Sequence, residues 1–95
     1  MARYIKNSST GVVGSSAVLT AFEANGDRAV LWIYAMSGNS GSVYIRFGAD
    51  PTNDGSDCEV ELAAGSGILF DAHVPADDVR VIGSAAGQKY RAFEA

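Results

Sequence analysis

Short apolar segments separated by glycine-bearing turns constrain the fold of this 95-residue chain most strongly. The longest apolar run, Ala29 to Met36, has the length of a single strand. Later segments such as VYIRF and CEVEL alternate apolar with polar residues, with the period of two that half-buried strands show. The segments recur at roughly 10–14 residues, and none has a convincing helical period. The sequence therefore predicts an all-β protein.

This spacing predicts about seven or eight short strands in one antiparallel β-sandwich or small barrel, with jelly-roll or Greek-key connections. A chain of 95 residues is too short for a second hydrophobic core, so we expect a single domain. We interpret residues 1–15 as an N-terminal arm or edge strand and residues 16–95 as the β-sandwich domain.

The segment Arg28 to Gly48 is expected to organise the domain. Its first part, Ala29 to Met36, is apolar throughout, which is typical of a central strand covered on both faces. The sequence SGNSGS follows and favours a turn, so the two flanking strands are predicted to pair as a hairpin. We expect the core to include Trp32, Val43, Ile45 and Phe47. The polar face of the second strand then carries Tyr44 and Arg46.

Charge and hydropathy exclude several classes of partner. The net charge of −4, with lysines and arginines dispersed along the chain, argues against binding to nucleic acid or to an anionic membrane surface. No apolar run reaches the roughly 18–20 residues of a membrane span, and the N-terminus lacks the apolar core of a signal peptide. We therefore expect neither nucleic acid nor membrane as a partner, and synthesis in the cytoplasm.

No grouping of residues points to catalysis. The single cysteine, Cys58, is flanked by acidic residues, which raise the pKa of a thiol and make it a poor nucleophile. The single histidine, His73, follows Asp71 by two positions on a predicted strand, but no nucleophile or metal ligand accompanies them. The glycine-rich segments lack phosphate-binding patterns. We expect no enzymatic activity, no catalytic residue and no cofactor.

The loop between Asp50 and Asp57 is rich in side-chain oxygen atoms, which Ca²⁺ prefers as ligands. Its spacing does not match an EF-hand, and the same residue types are typical of ordinary turns. The turn interpretation is favoured and no metal site is assigned, while calcium binding by this loop stays open as an alternative.

The pair Tyr44 and Arg46 is the candidate partner-binding patch that the residues themselves suggest. Both are expected on the exposed side of one strand, and Tyr and Arg are enriched at the centres of protein interfaces. The remaining aromatic residues are expected to serve mainly the core.

Three segments, VYIRFGADPT, VELAAGSGILFDAHVP and VRVIGSAAGQKYRAFEA, resemble small virion proteins of tailed bacteriophages, and the resemblance covers about residues 31–95. It implies a structural protein that decorates the outer capsid surface and stabilises it by bridging subunits of the major capsid protein. It also implies a homo-oligomer, with a trimer favoured, that assembles in the host cytoplasm and resides on the virion. Two alternatives stay open: a tail, fibre or head–tail connector component, and a non-viral carbohydrate- or protein-binding β-sandwich module.

In such a virion protein the N-terminal arm would act as a strap to a neighbouring subunit. Tyr4 and Ile5 would anchor it, because they lack apolar partners nearby in the sequence. An ordinary edge strand of the same domain is the alternative interpretation of this segment.

Overall fold

The computed structural model describes residues 7–95, and these contain eight strands and no helix. It follows that no helix of the described chain is long and apolar enough to cross a membrane. The predicted all-β class and the predicted number of strands are confirmed. In chain order the strands are β1 (Asn7–Val13), β2 (Leu19–Phe22), β3 (Leu31–Ala35), β4 (Val43–Phe47), β5 (Val60–Leu62), β6 (Gly67–Phe70), β7 (Val79–Gly83) and β8 (Gln88–Glu94).

The strands form two four-stranded antiparallel sheets that pack face to face. Sheet I has the order β1-β8-β3-β6, and sheet II has the order β2-β7-β4-β5. β1 pairs with β8, β2 with β7, β3 with β6 and β4 with β5. This nested pairing across two sheets is the connectivity of a jelly roll, so the sandwich alternative and its predicted topology are confirmed.

The core lies between the sheets. It consists of the side chains that alternate toward the interior along each strand. Leu31 and Ile33 of β3 face Val43 and Ile45 of β4 across the core, and all four are fully buried. Because a strand turns successive side chains to opposite faces, each sheet contributes every second residue. The prediction that Val43, Ile45 and Phe47 of β4 face the core is confirmed, with Phe47 partly buried at its margin.

The predicted hairpin between the two central segments is wrong. β3 pairs with β6 and β8 in sheet I, whereas β4 pairs with β5 and β7 in sheet II. The connecting segment arches between the sheets because its polar groups bond to β8. The Asn39 side chain both donates to and accepts from the Lys89 backbone, at 2.8 Å each. The Gly41 N–H donates to Gln88 Oε1 at 2.8 Å.

The first described strand is part of the sandwich. All of β1 pairs with β8, from Asn7 opposite Glu94 to Val13 opposite Gln88. Val13 is only 2% exposed and belongs to the core. Residues 7–13 are therefore an edge strand of sheet I, and the folded unit begins before residue 16. Tyr4 and Ile5 lie outside the described residues.

Candidate functional site

Aromatic side chains cover the outward side of sheet I. Trp32 on β3 lies directly opposite Leu69 on β6 and Phe93 on β8. Its ring stacks on Tyr34, with centroids 5.5 Å apart and an interplanar angle of 7°, and on Phe93 at 5.1 Å and 23°. Leu69 is 55% exposed. We call this surface, formed by Trp32, Tyr34, Leu69, Arg91 and Phe93, the aromatic face.

The prediction that Trp32 belongs to the core is wrong. Leu31 and Ile33 take the inward positions of β3, so Trp32 and Tyr34 point to the other side of the sheet. The run AVLWIYAM is apolar throughout, so its pattern contains no period that distinguishes the inward from the outward side. The outward aromatic residues are the functional candidates that the sequence interpretation missed.

Positive charge adjoins the aromatic rings. Arg91 lies opposite Tyr34, and Lys89 occupies the next outward position of β8. No salt bridge forms between either residue and another in the range 7–95. Both line a shallow groove of about 360 Å³ with Thr10, Val12 and Met36. The outward positions of the four described strands of sheet I carry no carboxylate, although the whole chain has a net charge of −4.

The chain itself covers much of the outward side of sheet II. The loop after β4 folds back so closely that a Cβ on Gly55 would lie 2.8 Å from the ring of Tyr44. Asp50 Oδ1 accepts a hydrogen bond from Arg80 Nη1 at 2.7 Å, which ties the loop to β7. Asn53 Nδ2 donates to the Ser15 carbonyl at 2.8 Å. The two sheets therefore differ. The loop after β4 covers the outward side of sheet II, whereas no described segment covers the aromatic face of sheet I.

This cover also corrects the predicted patch of Tyr44 and Arg46. Tyr44 is only 8% exposed, so the expectation that it lies on a free surface is wrong. Arg46 is half-buried and donates through Nη1 to the Asp50 carbonyl at 3.3 Å. The structure therefore does not present these two residues as an exposed pair. A role in partner binding stays a prediction for both of them, and for Tyr4 and Ile5.

The oxygen-rich loop uses its side chains to hold its own turns. Asp54 Oδ1 accepts from the Ser56 N–H at 2.9 Å, and Thr52 Oγ1 lies 3.0 Å from Ser56 Oγ. The bond from the Ser56 backbone is the main cause that lowers the pKa of Asp54 to about 2. Within the described chain, no three His, Cys, Asp or Glu side chains are grouped closely enough to hold a metal ion.

The isolated cysteine and histidine form no reactive arrangement. Burial raises the pKa of the Cys58 thiol, and the charges of Glu61 and Glu59 add to the effect, as the sequence predicted for neighbouring acids. β6 ends at Phe70, so Asp71 and His73 do not share a strand face as predicted. His73 instead takes a left-handed backbone conformation with φ of 55° on the surface.

The aromatic face is therefore the described surface best suited to a macromolecular partner. It is apolar at its centre and cationic at one side, and its residue types are those enriched at interface centres. Comparisons with known protein families, with curated proteins and with solved structures each find no match to this chain.

Proposed function

We propose that this protein is a non-enzymatic structural component of a tailed-phage virion, which binds the major capsid protein on the outer capsid surface through its aromatic face. The observation that carries the proposal is the outward side of sheet I, where half-buried aromatic rings lie beside the exposed Leu69 and Arg91. The outward side of the second sheet is covered by the chain itself. The resemblance of three segments to small virion proteins supplies the class of partner. Jelly rolls occur in viral capsid domains and in lectins, so the fold agrees with this proposal without specifying it.

The chemistry of the aromatic face supports tight contact with another protein. Large rings bury much apolar area and lose little conformational entropy when they are covered, because they have only two side-chain torsions. Arg91 adds a rigid set of donors at the edge of the rings. In the proposed mechanism, copies of the protein bind the expanded shell only. Each binding site then stabilises the expanded shell by a free energy that grows with the logarithm of the ratio between the concentration of this protein and its dissociation constant.

The geometry of the rings favours a protein partner over a carbohydrate. Sugars stack on an open ring face, but Trp32 is the common member of two stacks, so its neighbours cover part of its faces. The carbohydrate-binding alternative therefore has less support than a protein interface. A tail, fibre or connector component would use the same face, and copy number distinguishes it: hundreds per particle indicate the shell, and a dozen or fewer indicate the tail or neck.

Binding to capsids tests the proposal directly. Expanded, empty capsids of the phage that encodes the chain are mixed with the purified protein, and we measure co-sedimentation and the temperature of capsid disruption. We expect saturable binding and a higher disruption temperature. Trp32→Ala should weaken binding at least tenfold, since central aromatic residues contribute about 2 kcal/mol or more. Arg91→Glu reverses an exposed charge and should weaken binding without disturbing the core.

Glu61→Gln is the matched control, because Glu61 is exposed on sheet II and lies outside the aromatic face. It should bind as the unchanged protein does. Absence of capsid binding would contradict the virion assignment, and undiminished binding by both aromatic-face variants would contradict the assignment of the surface. A glycan-array signal lost in Trp32→Ala would favour the carbohydrate alternative.

A further inference from the structure

Two of the four sheet edges, β2 and β5, carry features that oppose pairing with another chain, and a third, β1, lies at a corner of the sandwich in contact with β2. β2 has a register irregularity between Thr20 and Phe22. β5 has three residues, with Glu61 at its centre. Corner packing, bulges and charges are the means by which natural sheets avoid adding strands.

The fourth edge, β6, has none of these features. Its sequence GILF contains no charge and no proline, and its register with β3 is regular along all four residues. Gly67 and Leu69 are both exposed. An uncharged, regular edge strand is a template for strand addition.

The hydrogen bonds around β3 show which way the backbone of β6 points. Ala35 N–H donates to the Ser66 carbonyl at 2.8 Å, on the β6 side, whereas Met36 N–H donates to the Lys89 carbonyl at 3.1 Å, on the β8 side. In an antiparallel ladder these directions alternate from residue to residue. The odd-numbered residues of β3 therefore bond to β6, and the even-numbered residues bond to β8.

Gly67 and Leu69 lie opposite even-numbered residues of β3, so their N–H and C=O groups point away from that strand. No side chain or turn within residues 7–95 bonds to these groups. The edge thus presents two donors and two acceptors in the spacing that a further antiparallel strand requires.

We propose that β6 pairs in antiparallel orientation with β6 of a second copy of this chain, so that two copies of sheet I form one continuous sheet. The register places Leu69 opposite Gly67 of the partner subunit, with the two-fold axis at Ile68. This pairing uses all the outward backbone groups of both residues. A two-fold contact repeats the same complementarity on both sides of the axis, which is why one edge suffices.

The aromatic rings lie directly against Gly67. A Cβ at Gly67 would lie 3.1 Å from the Ile33 carbonyl oxygen, 3.3 Å from Tyr34 Cδ2 and 3.6 Å from Trp32 Nε1. In the proposed register Leu69 of the partner subunit lies opposite Gly67 and therefore beside these rings. Leu69, which is 55% exposed in the single chain, loses part of that exposure when the second strand is added. Since the strand carries no charge, two copies do not repel one another there.

The inference goes beyond the proposed function, because it stands whether or not the aromatic face binds a capsid. A contact through one short strand is small, so we expect reversible association in the micromolar range or weaker rather than an obligate dimer. Its two-fold symmetry also differs from the trimer that the resemblance implies, and the measured mass distinguishes the two arrangements.

Sedimentation velocity of the full chain from about 1 μM to 1 mM tests the pairing. We expect a monomer–dimer equilibrium, which Leu69→Lys weakens at least tenfold by placing a charge next to the two-fold axis in each copy. Val12→Lys is the matched control: Val12 is 61% exposed on β1, at the opposite edge of the same sheet, and this variant should dimerise normally. Thermal melts establish that both variants are folded.

A chain that is monomeric at every concentration, a trimer, or a dimer that Leu69→Lys leaves intact would each overturn the proposal. Amide hydrogen exchange gives a second measurement on the unchanged protein. Exchange at Gly67 and Leu69 should slow as concentration rises, while exchange at exposed sites elsewhere stays constant.

Discussion

A single buried guanidinium fixes one end of the sandwich. Arg28 Nε donates to Glu94 Oε1 at 2.7 Å, and Nη1 donates to the Pro75 and Asp77 carbonyls at 2.6 and 2.9 Å. Nη2 donates to the Glu23 carbonyl at 3.0 Å. The rigid fork of the guanidinium thereby joins the last strand to the loops after β2 and β6. A charge buried in this way is stable only because its partners satisfy it.

The partner carboxylate gives the protein a specific dependence on pH. Burial raises the pKa of Glu94, but hydrogen bonds from Arg28 and Asn7 and the charge of Arg28 outweigh it, so the pKa lies below the ordinary value of 4.5. The unfolded chain therefore binds a proton more readily than the folded chain. We expect this contribution to the free energy of unfolding to be complete above about pH 5 and to be lost as pH falls below 4.5.

Urea denaturation at several pH values between 3 and 7 measures this dependence. Glu94→Gln keeps the size of the side chain and removes its titration, so its free energy of unfolding should decline less steeply below pH 4.5. Asp54 also has a lowered pKa and contributes in the same direction in both proteins, which is why the comparison isolates Glu94. Parallel curves for the two proteins would show that the Arg28 pair does not stabilise the fold in this way.

Among the elements, the loop between β4 and β5 has the strictest steric requirement. Gly55 has a φ of +77°, which favours glycine, and a Cβ there would lie 2.8 Å from Tyr44 Cε1. We expect Gly55→Ala to lower the free energy of unfolding by about 1–3 kcal/mol, because left-handed backbone and overpacking both penalise the added methyl group. Urea denaturation at pH 7 measures the change.

Gly26→Ala is the control, since no heavy atom lies within 4 Å of the added Cβ and its backbone does not require glycine. It should change the free energy of unfolding by no more than about 0.5 kcal/mol. Equal stabilities for the two variants would mean that the loop does not press on Tyr44, and that the outward side of sheet II is open in solution.

Alternation and turn residues were sufficient to predict the strands but not their partners. Val43 and Ile45 face the core as their period-two pattern indicates. The turn sequence SGNSGS is equally suited to a hairpin and to an arch between sheets. Whether this segment forms a hairpin or an arch depends on its contacts with Gln88 and Lys89, which lie some fifty residues further along the chain. No local sequence pattern reveals such contacts.

The two errors at the candidate site have a common physical origin. The sequence predicts an exposed Tyr44, which is buried beneath a polar loop, and a Trp32 in the core, which lies on an outward face. Residue type sets how well a side chain tolerates burial, but the path of distant segments decides which sheet face is covered. A loop rich in Asp, Asn and Gly shows no apolar pattern that marks it as a cover.

At the scale of the whole molecule, the pairing of β1 with β8 makes residues 7–13 part of the fold. Removing residues 1–15 deletes β1, the buried Val13 side chain and the 2.9 Å bond between Ser9 Oγ and Tyr90 Oη. We expect such a chain to lose at least about 2–3 kcal/mol in free energy of unfolding, from lost apolar burial and lost hydrogen bonds.

Thermal melts followed by circular dichroism measure the loss, which corresponds to a fall in Tm of roughly 10 °C or more for a domain of this size. A chain that begins at residue 7 keeps all of β1 and is the matched control. If the chain beginning at residue 16 melted at the same temperature as this control, β1 would be a dispensable arm.

The interior position of β8 in sheet I also sets an order of events during synthesis. β8 separates β1 from β3, so residues 88–94 must leave the ribosome before that sheet can be completed. Until then β3 has only β6 as a neighbour in its sheet, and the apolar side chains of Leu31 and Ile33 in the nascent chain are available to chaperones or to other nascent chains. Translation that stops before residue 88 therefore yields a polypeptide that cannot assemble sheet I. Complete folding of the domain thus requires that β8 has been synthesised.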